Sequence, residues 1–410
     1  MPISDTFSQT YERYAALLRD QQLPAMVVDV DAFDRNLTHV LAQLPASMTL
    51  RPATKSIRVR ALLERVRARA GKKLQGFMCY CTQEAAKLSE RGFDDLLVAY
   101  PPWQRGDLRL AASLSAQDHI IVLATDSEAA IERIEHAAAE ARATIAVAMC
   151  IDMSLRLFGE NLHIGVRRSP LRQVDQVLAM ARFIAARKHV RLDGLLLYEA
   201  QVAGLPDRVP GLSLQNWPKQ WLRRHSMAEV AQRREQIVQA LRRDGHALRF
   251  VNGGGTGSLS QTAREQGVVT EVTVGSALFK PHLFDNFSDA HMQPLLPSAF
   301  FALEVTRVPG ENWRTCQGGG YVASGQMGQD RLPIPWLPHG LALLPHEGVG
   351  EVQTPLRLPS GLRLDQGDPV LFRHAKAGEL AERFNSVLLV AGDRIVDKVP
   401  TYRGEGWNFW

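Results

Sequence analysis

Between residue 26 and about residue 280 the chain alternates two hydrophobic rhythms. Short runs of Val, Ile and Leu are separated by longer stretches in which apolar positions recur at helical spacing. The first pattern marks strands buried on both faces and the second marks amphipathic helices, so together they predict a parallel sheet built from βα units. Strands are predicted at Met26–Val30, Thr49–Pro52, Gln75–Tyr80, Asp95–Ala99, His119–Leu123, Ile145–Ile151, Leu192–Tyr198, Leu248–Asn252 and Glu271–Val274. Nine candidates compete for eight places, which an α/β fold with an eight-stranded (β/α)8 barrel satisfies by leaving one strand, most simply the first, outside.

Capping residues set the phase of the helices. Asp31 is placed to cap AFDRNLTHVLAQL, Thr82 to cap QEAAKLSERG with Gly92 as its stop, and Asp126 or Ser127 to cap EAAIERIEHAAAEARA. The segment PDRVPGLSLQNWPKQW, between Tyr198 and a helix near Met227, reads as a long loop of the kind that forms lids or interfaces. After about residue 295 the runs shorten and are punctuated by Gly and Pro, with no long helical period. That texture predicts a separate antiparallel β domain. The organisation expected is an N-terminal extension (1–24), a barrel (25–288) and a C-terminal β domain (289–410).

Composition narrows the function. Forty-eight Lys and Arg against 43 Asp and Glu give a formal charge of +5, but the two signs are interspersed along all 410 residues. The densest basic run, Arg65 to Lys73, closes a helical pattern, where cations are favoured by the helix dipole. Neither a nucleic-acid nor a membrane partner is implied. Cys79, Cys81, Cys150 and Cys316 lie in apolar runs without zinc-like spacing, which suits a reducing interior. The first twenty residues are polar and no apolar stretch reaches membrane-spanning length, so a cytoplasmic location is expected.

Two features carry chemistry. Lys55 follows Arg51-Pro52-Ala53-Thr54 at the end of an early strand, on the rim where barrels place their reactive groups. A desolvated lysine there has a lowered pKa and can form a Schiff base. The second is the run Asn252-Gly-Gly-Gly-Thr-Gly-Ser258, between a strand and a helical pattern, followed by Gly275-Ser276 at the end of the last barrel strand. Closely approaching amides suit a phosphate, and the loops after the last two strands are where barrels bind one. Neither a dinucleotide fingerprint nor a Walker motif is present. An imine-forming lysine across the rim from a phosphate cup is the spacing that pyridoxal phosphate spans.

With these residues in view, the chain resembles the fold-type III pyridoxal-phosphate enzymes, whose barrel is alanine racemase-like, and within them the D-threonine aldolase and D-serine dehydratase branch. The pieces that match are Leu23-Pro-Ala-Met-Val-Val-Asp-Val-Asp31, Arg51-Pro-Ala-Thr-Lys55, Thr82-Gln-Glu-Ala with Asp95-Leu-Leu-Val-Ala-Tyr-Pro101, the Asn252–Ser258 run and Thr270-Glu-Val-Thr-Val-Gly-Ser276. Tyr198-Glu-Ala-Gln201, Gln317-Gly-Gly-Gly-Tyr321 and Phe372-Arg-His-Ala-Lys-Ala-Gly-Glu379 extend the likeness to a subgroup described as amino acid deaminase/aldolase.

The resemblance implies a lyase that cleaves or dehydrates a D- or β-hydroxy amino acid, with Lys55 as the Schiff-base lysine. Gly253, Gly254, Gly255, Thr256, Gly275 and Ser276 would form the phosphate cup, and Tyr198 would pack on the cofactor ring or meet its phosphate. Either Arg156 or His163 would face the pyridine nitrogen. A homodimer is implied as well. The branch's divalent metal sits on a His-x-Asp or His-x-Cys pair, and this chain reads His374-Ala-Lys376 instead. A protonated lysine has no lone pair, so metal use is in doubt and Lys376 is expected to act as a cation or acid beside the substrate's β-substituent. The runner-up is an amino acid racemase, with Tyr321 or Lys376 as the second base. A non-catalytic cofactor carrier is disfavoured, because more than a hundred residues follow the barrel.

Overall fold

A computed structural model describes residues 3–157, 162–203, 206–208, 213–326 and 328–409. Eight parallel strands form the first sheet: β2 (Thr49–Leu50), β3 (Phe77–Cys79), β4 (Leu96–Val98), β5 (Ile121–Thr125), β6 (Ile145–Cys150), β9 (Val190–Leu196), β10 (Phe250–Gly253) and β11 (Glu271–Val272). Their order is β2-β11-β10-β9-β6-β5-β4-β3. The two end strands meet through parallel bridges Leu50–Leu74 and Ala53–Met78, which close the ring. Between β6 and β9 a small hairpin, β7 (Leu155–Leu157) and β8 (Leu162–Ile164), stands on the rim.

β1 (Ala25–Asp29) is the strand outside the ring. It pairs antiparallel with β12 (Ala299–Gly310) and parallel with a strand near residue 390, inside the second sheet. That sheet continues through β13 (Trp313–Gln317), β14 (Ile334–Leu337), β15 (Ala342–Leu343), β16 (Gln353–Arg357), β17 (Pro369–Arg373), β18 (Ser386–Ala391) and β19 (Arg394–Pro400). No α-helix follows residue 299 among the described residues, in line with the loss of helical period there. The segment before β1 is a helix, Ile3–Leu18, whose Tyr14 and Leu18 pack on Phe300, Leu371 and Leu388 of the second sheet.

Two caps differ from expectation by one or two residues. Asp29 rather than Asp31 caps the helix Val30–Ala42, accepting from the Ala32 amide at 2.9 Å. The Cys81 thiol rather than Thr82 accepts from the Glu84 amide. Ser127 caps Glu128–Glu140, one of the two options. The long loop expected before Met227 is largely helix: Ser213–Arg243 is continuous and contains Pro218. Pro218 lies in the second turn, where it removes one hydrogen bond but leaves the helix intact. Residues 204, 205 and 209–212 of that segment lie outside the described residues.

The barrel interior sets the height of the rim. Leu97, Val122, Ala124, Ala146, Ala148, Leu196 and Phe250 fill it as one cluster. Phe250 fits because Gly194 faces it; a Cβ there would fall 2.5 Å from the ring. Below, Arg51 is fully buried and bonds Glu271 at 2.8 Å and Asp95 at 3.1 Å, while Arg249 joins Asp95 to Asp193. This ion network ties the end of β2 and the starts of β4, β10 and β11 to the middle of β9, and so fixes Arg51, four residues before Lys55. Gly194→Ala is expected to lower stability by about 1–3 kcal/mol through overpacking. Adding Phe250→Leu should recover part of that loss in denaturant melts; an unchanged midpoint for the single variant would contradict the packing argument.

Candidate functional site

Lys55 sits in the short turn Thr54–Ser56 after β2. Its side chain is exposed, and its Nζ donates to the Tyr100 hydroxyl at 2.5 Å. Tyr100 follows β4 and Tyr198 follows β9; both stand on this rim, 38% and 39% exposed. The two glycine segments reach the same place. The backbone of Gly275 lies so close to the lysine turn that a Cβ would fall 2.6 Å from the Ser56 side chain. Thr256 Oγ1 accepts from the Ala277 amide at 3.1 Å, binding the loop after β10 to the loop after β11.

The glycine run divides its amides between two jobs. The Gly254 amide donates to Glu199 at 3.2 Å and the Gly255 amide to Ser258 Oγ at 3.0 Å. The amides of Thr256, Gly257, Gly275 and Ser276 make no hydrogen bond among the described residues. Gly254 has φ +77°, a value glycine adopts without strain. The donors left for a ligand are therefore the outer amides, with the inner ones fixing the loop's shape.

Glu199 is the residue that sequence reasoning missed. Fully buried, it accepts from Arg234, Gly254, Ser258 Oγ (2.5 Å) and Thr262 Oγ1 (3.1 Å). Arg234 is equally buried and bonds Glu265 at 2.7 Å. A lone glutamate at the end of an apolar strand, beside Tyr198, is the only trace of this in the sequence. Its partners lie 35 to 63 positions away.

The structure places Arg156 and His163 opposite one another in the β7–β8 hairpin. Arg156 donates to Asp152 at 2.8 Å, and His163 Nε2 lies 3.3 Å from the Val166 carbonyl oxygen. Gln201 donates to the Met153 carbonyl and to Ser226, joining the loop after β6 to the long helix.

The second domain presses on the lysine turn from outside. Gly378 packs against it so closely that a Cβ would fall 1.8 Å from the Lys55 carbonyl oxygen. Two residues earlier, Lys376 Nζ donates to the Ser324 carbonyl at 2.5 Å and lies 3.9 Å from Glu379. Burial lowers the Lys376 pKa, an effect that Glu379 opposes and that the charges of Arg331 and Lys55 reinforce. His374 is buried against Phe279 and its pKa falls to about 3, chiefly through burial, so the ring is neutral at physiological pH. Tyr321 is clasped by Phe301 and Phe384, and burial raises its pKa.

One buried acid lies behind the turn. Glu84 is fully buried, accepts from the Tyr80 amide, and has its pKa raised to about 7 by burial, against opposing hydrogen bonds from Thr54 and Tyr402. The fold thus favours the protonated form. The stability this provides is present below the ordinary glutamate range and is lost as pH rises through about 7. Between pH 5 and pH 8 the loss is on the order of 3 kcal/mol, and Glu84→Gln should abolish it. Denaturant unfolding at both pH values checks this; parallel pH slopes for the two proteins would refute it.

Residues 28–282 match the family model described as the alanine racemase N-terminal domain. No curated protein matches the chain by sequence. Among solved structures, D-threonine aldolase from Filomicrobium marinum superposes with a TM-score of 0.78 at 22% identity, over 94% of this chain and 96% of that one. D-threo-3-hydroxyaspartate dehydratase from Delftia sp. HT23 follows at 0.73 and 20%, over 94% and 98%. Alanine racemase from Clostridium difficile 630 gives 0.64 at 12%, over 93% and 99%.

Proposed function

The chain belongs to the alanine racemase N-terminal domain family of pyridoxal-phosphate enzymes, and from that premise we propose that it is a lyase acting on a D- or β-hydroxy amino acid. The observation that carries this reading is the meeting of a lysine amine with four unpartnered amides from two loops on one rim. Those groups fit the family's cofactor: Lys55 would hold its aldehyde carbon, and the amides of Thr256, Gly257, Gly275 and Ser276 its phosphate. Tyr198 is proposed to pack beside the ring. Bound there, the cofactor supplies an electron sink for the negative charge left at the substrate's Cα.

The remaining work falls to side chains of this chain. Lys55 would move a proton to or from Cα. Lys376 would set its ammonium beside the β-oxygen, stabilising negative charge there or giving up a proton as that oxygen leaves. Its lowered pKa suits it to the second task. We assign this role to Lys376 and not to a metal, because an ammonium offers no electron pair to a cation. Retro-aldol cleavage would yield glycine and an aldehyde; loss of the hydroxyl would yield a 2-oxo acid and ammonia. A second copy of the chain is proposed to cover the exposed Tyr100 and Tyr198, which sedimentation would detect as a dimer.

The test is direct. Protein loaded with pyridoxal phosphate and freed of excess cofactor by gel filtration should keep a visible absorbance, and borohydride should fix the cofactor on Lys55, as read by peptide mass. D-threonine or other D-3-hydroxy amino acids should then give a carbonyl product, with or without chelator. Racemisation with solvent deuterium at Cα and no carbonyl product would replace this reading with the racemase, and failure of borohydride to fix any cofactor on Lys55 would end both.

A further inference from the structure

A buried cation touches the glycine loop and has no part in the reading above. Arg223, on the long helix Ser213–Arg243, is only 3% exposed. Its Nη2 donates to the Gly257 carbonyl and lies 3.3 Å from Asp289 Oδ2. Its other terminal nitrogen, Nη1, is buried and meets no acceptor among the described residues. The centre of the Phe287 ring lies 5.6 Å from the guanidinium carbon.

Gly257 is one of the residues whose amide is left for a ligand, and it has no side chain through which the fold could hold it. Arg223 supplies that hold through the carbonyl. The nearby carboxylate is already committed elsewhere: Asp289 also accepts from Ser260 Oγ at 2.5 Å and from the His291 amide at 3.0 Å. A guanidinium nitrogen buried without an acceptor is costly, and such an orphan asks for a functional reason. Charge points the same way. At the inner amides Glu199 and Glu265 share the single charge of Arg234, so negative charge is in surplus there. A phosphate monoester brings roughly two more negative charges at neutral pH.

We propose that Arg223 is a positioning residue of the phosphate cup, holding Gly257 with its amide open and placing a buried positive charge beside the phosphate. The inference rests on the cofactor reading above and adds a residue that acts on the phosphate end alone. Removing the charge should therefore weaken a coenzyme that carries phosphate and spare one that does not.

The experiment compares wild type, Arg223→Gln, which keeps a donor for the Gly257 carbonyl, and Arg223→Lys, which keeps the charge. Dissociation constants are measured by absorbance for pyridoxal phosphate and for pyridoxal. Arg223→Gln should lose about 10- to 100-fold in affinity for the phosphate form and change by less than about twofold for pyridoxal, with Arg223→Lys recovering part of the loss. Equal losses for both coenzymes would reveal a merely structural clamp, and no loss for either would show that the charge is idle; each overturns the proposal. A second measurement needs no variant. Phosphorus NMR of wild type holding pyridoxal phosphate should show a dianion down to about pH 5, whereas a free monoester takes up a proton near pH 6. A bound signal that titrates near pH 6 also overturns it. If Lys55 takes up neither coenzyme, the lyase reading fails and inorganic phosphate becomes the probe. Wild type should then bind it calorimetrically at least about tenfold more tightly than Arg223→Gln, and equal binding, or none by wild type, ends this proposal too.

Discussion

Lys55→Ala is expected to abolish activity while leaving the fold untouched. The side chain is exposed, and its hydrogen bond to the Tyr100 hydroxyl is the one polar contact it makes among the described residues. Its removal should therefore shift stability by no more than about 0.5 kcal/mol. The catalytic loss is of another size. Proton transfer by a positioned side chain contributes roughly 10²–10⁴-fold, and Lys55 is also the proposed covalent attachment point. Steady-state assays beside a thermal melt make the comparison. Residual activity within tenfold of wild type would mean that a different amine does the chemistry.

Glu199→Ala should show the opposite balance, with stability lost first. Truncation leaves Arg234 buried with one carboxylate instead of two, takes the acceptor from Thr262 Oγ1 and the Gly254 amide, and leaves Ser258 Oγ only its bonds to Gly255. Breaking a buried ion pair from one side costs about 3–5 kcal/mol. The loop after β10 would lose the anchor that turns its outer amides toward the rim, so cofactor affinity should fall along with the denaturant midpoint. Glu199→Gln keeps the shape and an acceptor but not the charge, and should fall between. A loss below about 1 kcal/mol for the alanine variant would show that Glu265 alone satisfies Arg234.

The contrast between these two residues explains how much could be read from the sequence. Lys55 and the glycine segments announce themselves, because a lysine after a strand end and consecutive glycines are local patterns with local causes. The barrel was legible for the same reason: each buried strand is a short apolar run, and the surplus of one strand pointed to β1. Glu199 was not legible, because its meaning depends on Arg234, Ser258 and Thr262, which only the closed barrel brings to it. The cap at Asp29 was misplaced because Asp29 and Asp31 are chemically equivalent and differ only in backbone phase. The helix Ser213–Arg243 was hidden by Pro218, a residue whose effect depends on which turn it occupies.

β1 carries a consequence for how the molecule is made. Its neighbours are Phe300 and Phe301 on one side and Leu388 and Leu389 on the other, all synthesised hundreds of residues later. During translation, Met26, Val27 and Val28 must wait, apolar and without partners, until β12 and then β18 leave the ribosome. Until then they form a sticky edge that chaperones or neighbouring chains can seize. A fragment ending near residue 290 would keep that edge for good. Its expected fate is aggregation, whatever the intrinsic soundness of the ring it contains.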